Sequence, residues 1–172
     1  HYSGIGGSKM KHIPNVLLVE GSNDKSFFEN LCKKYNLNVQ VKVKNPRDLL
    51  TTQGVFNSKR GVIDSLEELL PLLEDEDSAI KKIAIILDAD ITGENNGGFK
   101  DTMEQIKAKT KKHGYNEKHI YLNKGVEIPH SDKGMNSIGV WIMPDNKSDG
   151  TIEDWIKSKI LSSETTLFNH AC

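Results

Sequence analysis

The sequence predicts an α/β fold, a layered, mostly parallel sheet flanked by helices, and three observations carry that expectation. Ile83-Ala84-Ile85-Ile86-Leu87 is an unbroken apolar run that ends at Asp88-Ala89-Asp90. Short and isoleucine-rich, it reads as a strand covered on both faces in the middle of a parallel sheet. Val16-Leu17-Leu18-Val19 is a second such run, followed by Glu20, Gly21 and a segment with helical spacing. Beyond these, strand-like and helix-like segments alternate along the chain, the pattern of βα units joined by right-handed crossovers.

Taken in order, Gly21 permits a sharp turn, and Ser22, Asn23 and Asp24 are all suitable helix N-caps. The helix they open runs to about Tyr35, with Phe27, Phe28, Leu31 and Tyr35 at core-facing spacing. Val39 to Val43 alternates and reads as a half-exposed edge strand, broken by Asn45-Pro46; Arg47 to Asn57 supports no assignment. Val62, Ile63, Leu66, Leu69, Leu70 and Leu73 mark an amphipathic helix from Arg60 to Glu74, interrupted at Pro71. The acid run Glu74 to Asp77 reads as a solvated linker. After the central strand, Phe99 to His113 is helical, with Met103 and Ile106 inward, a lysine-rich far end and Gly114 closing it. His119 to Leu122 is a short strand and a polar excursion follows to Asn136. Ser137 to Pro144 is a buried strand, and Asp145 to Gly150 a loop of turn residues. Thr151 caps a last helix with Trp155, Ile156 and Ile160 on its apolar face.

At 172 residues, with 36% apolar content, the chain suits one domain over residues 10–172 with a core that needs no disulfides. Residues 1–9 resemble an expression-tag remnant before a start at Met10. The two cysteines suggest no disulfide framework. A net charge of -1 gives no global attraction to nucleic acid or to a membrane surface. No long apolar run or signal-type segment is present, so a cytoplasmic protein without a membrane partner is expected.

The chemistry is expected from acids that end strands. Asp88 and Asp90 directly follow the central strand, where open α/β sheets bind ligands. Unpaired acids are costly to bury, and two converging carboxylates suit a hard divalent cation such as Mg²⁺, with Mn²⁺ as a substitute. A lone pair of this kind can equally end a strand and cap a turn. Glu20 ends the first strand, and Asp145 or Glu153 follows a late one. If those strands are parallel neighbours, their acids share one crevice and repel one another until a cation neutralises them. One or two Mg²⁺ ions there would polarise a phosphate and activate water.

On Leu17-Leu18-Val19-Glu20-Gly21, on Asp88-Ala89-Asp90 and on the βα units between them, the chain resembles the Toprim domains of topoisomerases, primases and the overcoming-lysogenization-defect nucleases. The resemblance spans about Asn15 to Ile160. It implies a Toprim fold, Glu20 as proton-exchanging catalytic residue and metal ligand, Asp24 as its nuclease-type companion, and Asp88 and Asp90 as metal ligands. A later acid would complete the metal site, with Glu153 the first candidate and Asp145 the second. The stretch Trp141 to Asn146, with Gly150 and Glu153-Asp154, is similar to small, largely uncharacterised stand-alone Toprim-like proteins. The implied partner is DNA or RNA, with a further protein as a possible source of substrate. Lys109 to Lys112 would border the substrate path, and Lys147 is available for the nuclease branch's late lysine.

Two other readings stand beside this one. Asp88-Ala89-Asp90-Ile91-Thr92 fits the DxDxT of haloacid-dehalogenase-like phosphatases, with Asp88 as nucleophile, Asp90 as acid, and Asp145 and Asp149 downstream. That reading leaves Glu20 and Gly21 unexplained. A binding module that keeps the fold without turnover is the other.

Overall fold

A computed structural model describes residues 14–43, 58–93, 97–116, 120–122 and 125–168. The elements are β1 (Asn15–Val19), α1 (Ser22–Lys34), β2 (Gln40–Val43), α2 (Ser58–Glu74), β3 (Lys82–Asp88), α3 (Phe99–Lys111), β4 (Ile120–Leu122), β5 (Gly125–Ile128), β6 (Ile138–Met143) and α4 (Ile152–Phe168). The strands form one sheet of six in the order β2-β1-β3-β6-β5-β4. β2, β1, β3 and β6 run parallel, and β5 and β4 continue the sheet antiparallel.

The pleat explains why the sheet carries helices on both faces. Val16 and Leu18 of β1 and Ile83, Ile85 and Leu87 of β3 point to one face. There they pack with Val62, Ile63, Leu66 and Leu70 of α2 and Met103 and Ile106 of α3. The alternate positions Leu17, Val19, Ala84 and Ile86 point to the other face, against Phe28 and Cys32 of α1 and Ile152, Trp155 and Ile156 of α4. Because side chains alternate between faces, an uninterrupted apolar run at β3 is what a strand between two helical layers needs. The α/β architecture expected from the sequence is the one observed.

Several local readings are corrected. α2 continues through Pro71 to Glu74. Within the excursion after β4, Val126 and Ile128 are buried on alternate positions of β5, a strand the polar residues around it concealed. Tyr35 is 63% exposed at the C-cap of α1, and Cys32 takes the buried position instead. Ile160 is 46% exposed. The N-cap of α1 is Gly21, with Asp24 accepting a hydrogen bond from its N–H. Residues 1–9, Asn45-Pro46 and Arg47 to Asn57 lie outside the described residues. Among the described residues no helix is long and apolar enough to cross a membrane.

Candidate metal centre

From β1 the chain leaves to β2 on one side and returns to β3 on the other, so the sheet's topological switch point lies between β1 and β3. Crevices at the carboxyl ends of such strands are where α/β sheets bind ligands. Glu20 directly follows β1, and Asp88 is the last residue of β3. The backbone N–H of Asp88 donates to Glu20 Oε1 at 2.8 Å, bridging the two strand ends. Asp88 Oδ1 in turn accepts from the N–H of Ile152, the first residue of α4, at 2.8 Å. A helix N-terminus presents unpaired N–H groups and a partial positive charge, so α4 steers the Asp88 carboxylate.

Asp24 enters from the first turn of α1, where its Oδ2 accepts the Gly21 N–H at 3.0 Å. Burial pushes the Glu20 carboxyl up to about 7; repulsion from Asp88 and Asp90 adds to this, against the lowering hydrogen bond from the Asp88 N–H and the Lys59 charge. Burial likewise raises Asp88 to about 6, with repulsion from Asp24, Asp90 and Glu153 adding to it. Asp24 is raised by burial and by Glu153. Glu20, Asp24 and Asp88 line a small cavity of about 10 Å³, closed by Phe28, Leu87, Met143 and Ile152. Among the described residues no three Asp, Glu, His or Cys side chains already stand in a metal-holding arrangement. The donor set nevertheless fits a hard cation: all are carboxylate oxygens, and their mutual repulsion is what a divalent ion relieves.

Asp90 is placed differently. Its φ is 60°, and its N–H and C=O both pair with Gly150, at 2.9 and 3.0 Å. Its carboxylate meets Lys59 Nζ at 2.5 Å. That ammonium also donates to the Ala89 carbonyl at 3.0 Å and lies 3.5 Å from Thr102 Oγ1 of α3. The Lys59 side chain is only 4% exposed. Sequence reasoning missed this residue, although a signal exists: a lysine in the first turn of α2 opposes the helix dipole and needs a compensating anion.

The two late acids separate. Asp145 spends both carboxylate oxygens on its own turn, accepting from the N–H groups of Lys147 and Ser148 and from the Ser148 hydroxyl. Those bonds hold its carboxyl below the usual range. Glu153, in the first turn of α4, acts electrostatically on both Asp24 and Asp88. Asp154 beside it accepts from the N–H of Thr151 and caps the helix. Glu153→Gln is therefore expected to weaken Mn²⁺ binding about 3–10-fold, and Asp145→Asn to leave it unchanged, as read by titration calorimetry.

Asp149 is a structural clasp. It accepts from the N–H and hydroxyl of Thr92 and from the N–H of Phe99 at the start of α3. With the Asp90–Gly150 pair, it binds the loop after β3 to the loop after β6. Asp149→Ala is expected to lower the melting temperature by about 2–5 °C in a thermal scan.

The lysine-rich end of α3 is not beside this centre. A helix that begins after the carboxyl end of β3 runs back toward the opposite end of the sheet. Lys109 pairs there with Asp64 and Glu67 of α2, and Lys112 with Glu67. The expected basic border is thus distant and locally neutralised. A larger groove of about 460 Å³ between α1 and β2 carries no comparable cluster, only Glu29 and Lys33 as charged residues.

Residues 14–172 match the model of a family described as a protein of unknown function, DUF3226, and the chain belongs to that family. No curated protein and no solved structure matches it.

Proposed function

We propose that the protein carries out divalent-metal-dependent phosphodiester chemistry on nucleic acid, as a nuclease of the Toprim type. The observation that supports this best is the pairing of Glu20 and Asp88 at the carboxyl ends of adjacent parallel strands, bonded through the Asp88 N–H at the switch point of the sheet. Asp88, Asp24, Glu153 and Glu20 would hold Mg²⁺, or Mn²⁺ in its place. The ion supplies polarisation of a phosphate and activation of water. In the metal-free protein burial holds the Glu20 carboxyl near 7, so its ligation to the ion would release a proton at neutral pH. The N-terminus of α4 fixes Asp88, so the donor set is oriented by backbone rather than by mobile loops. With a net charge of -1 the protein draws polyanions only weakly. The metal itself, or a protein partner, then contributes much of the substrate contact.

The test is cleavage of labelled single- and double-stranded DNA and RNA with Mg²⁺, Mn²⁺ or EDTA. Cleavage that requires metal and is lost in Glu20→Gln supports the nuclease. Phosphate release from small phosphoesters that depends on Asp88 but not on Glu20 would support the phosphatase instead. The geometry favours that reading less, because Thr92 and Asp149 bind each other and Asp145 is closed on its own turn. Metal binding without turnover on any substrate would leave a binding module.

A further inference from the structure

We propose that Lys59 is the fixed counter-charge of Asp90, and that the centre consequently takes one divalent ion rather than two; this rests on the metal-dependent reading above. Three features converge on it. First, the Lys59 ammonium is buried and surrounded by oxygens, with Asp90 Oδ2 at 2.5 Å, Ala89 O at 3.0 Å and Thr102 Oγ1 at 3.5 Å. A lysine head is a compact charge with three donors, and here each donor has an oxygen within reach. Buried charges persist only when paired in this way.

Second, Asp90 cannot easily turn elsewhere. Its left-handed backbone is clamped on both sides by Gly150, whose own φ of 140° and tight approach to Pro144 leave no room for a side chain. Third, the cavity holding Glu20, Asp24 and Asp88 has about 10 Å³, space for a single water-sized occupant, and Asp90 does not line it. A second divalent ion on the aspartate pair would be forced against the ammonium. Lys59 thus supplies, from the first turn of α2, the positive charge that the outer side of the centre needs. It is a positioning residue: it acts through Asp90 and the Ala89 carbonyl, between which the loop leaves β3.

The test counts bound Mn²⁺ per chain at saturation by equilibrium dialysis. The wild type is expected to bind one ion. Lys59→Met, which releases Asp90, is expected to bind two, and Lys59→Met with Asp90→Asn to return to one. Asp90→Asn alone is expected to keep one ion with affinity within about 3-fold of wild type, since the asparagine oxygen still accepts from Lys59. That variant decides the matter even if Lys59→Met fails to fold. Two ions in the wild type, or loss of the single ion in Asp90→Asn, overturns the assignment. No ion in the wild type overturns the metal reading itself, a separate and recognisable outcome.

Discussion

Asp88→Asn is expected to lower metal-dependent cleavage by at least about 1,000-fold while leaving the fold intact. The asparagine keeps an oxygen for the Ile152 N–H, so the link between β3 and α4 survives. What disappears is the negative charge at the centre of the carboxylate group, and with it the strongest attraction for a divalent ion. A loss of that size corresponds to about 4 kcal/mol of transition-state stabilisation. Circular dichroism and a thermal scan of the variant establish that it folds, and cleavage kinetics at a fixed Mn²⁺ concentration that saturates the wild type give the loss. Residual activity within 10-fold of wild type would remove Asp88 from the chemistry.

Glu20→Gln is expected to make the metal-free protein more stable at pH 8, by about 1–3 kcal/mol, while abolishing turnover. The carboxyl of Glu20 rises on folding from an ordinary 4.5 to about 7. The folded state therefore holds a proton that the unfolded chain has released between those values. Stability from this group is complete below pH 4.5 and declines as pH rises through 7, so at pH 8 the native protein bears a desolvated, repelled charge. Glutamine removes the charge and retains an oxygen for the Asp88 N–H. Asp88, raised to about 6, contributes in the same direction. Wild-type protein in EDTA should thus melt at higher temperature at pH 5.5 than at pH 8. The variant should show a smaller slope, with a gain at pH 8 of about 2–12 °C. A variant less stable than wild type at pH 8 would mean that Glu20 is stabilised as an anion in the native state.

Much of this arrangement was legible from the chain. The run Ile83 to Leu87 announces a strand between two helical layers, and the structure pairs it with β1 and β6, each parallel. Glu20 was marked by its place at the end of the first strand, and it bonds the neighbouring strand end. The antiparallel β5 was not legible because its buried residues, Val126 and Ile128, are only two within polar surroundings. Pro71 was misread as a break because propensity acts locally, whereas Leu70 before it and Leu73 after it both pack α2 against the core. Lys59 lies 31 residues before Asp90, and nothing short of the α2–β3 packing brings them together. The role of Asp145 was open for a related reason. Turn closure by Ser148 and service to a metal use the same side chain, and only the hydrogen bonds distinguish them.

The most direct measurement of the centre is calorimetric titration of Mn²⁺ into the wild type at pH 6.5, in two buffers of different ionisation enthalpy. At that pH Glu20 and Asp88 together carry about one proton in the metal-free protein. Ligation requires both carboxylates to be ionised. Binding should therefore release about one proton per ion, and Asp88→Asn should abolish it. Absence of binding, or binding that survives Asp88→Asn unchanged, would contradict a metal centre between β1 and β3.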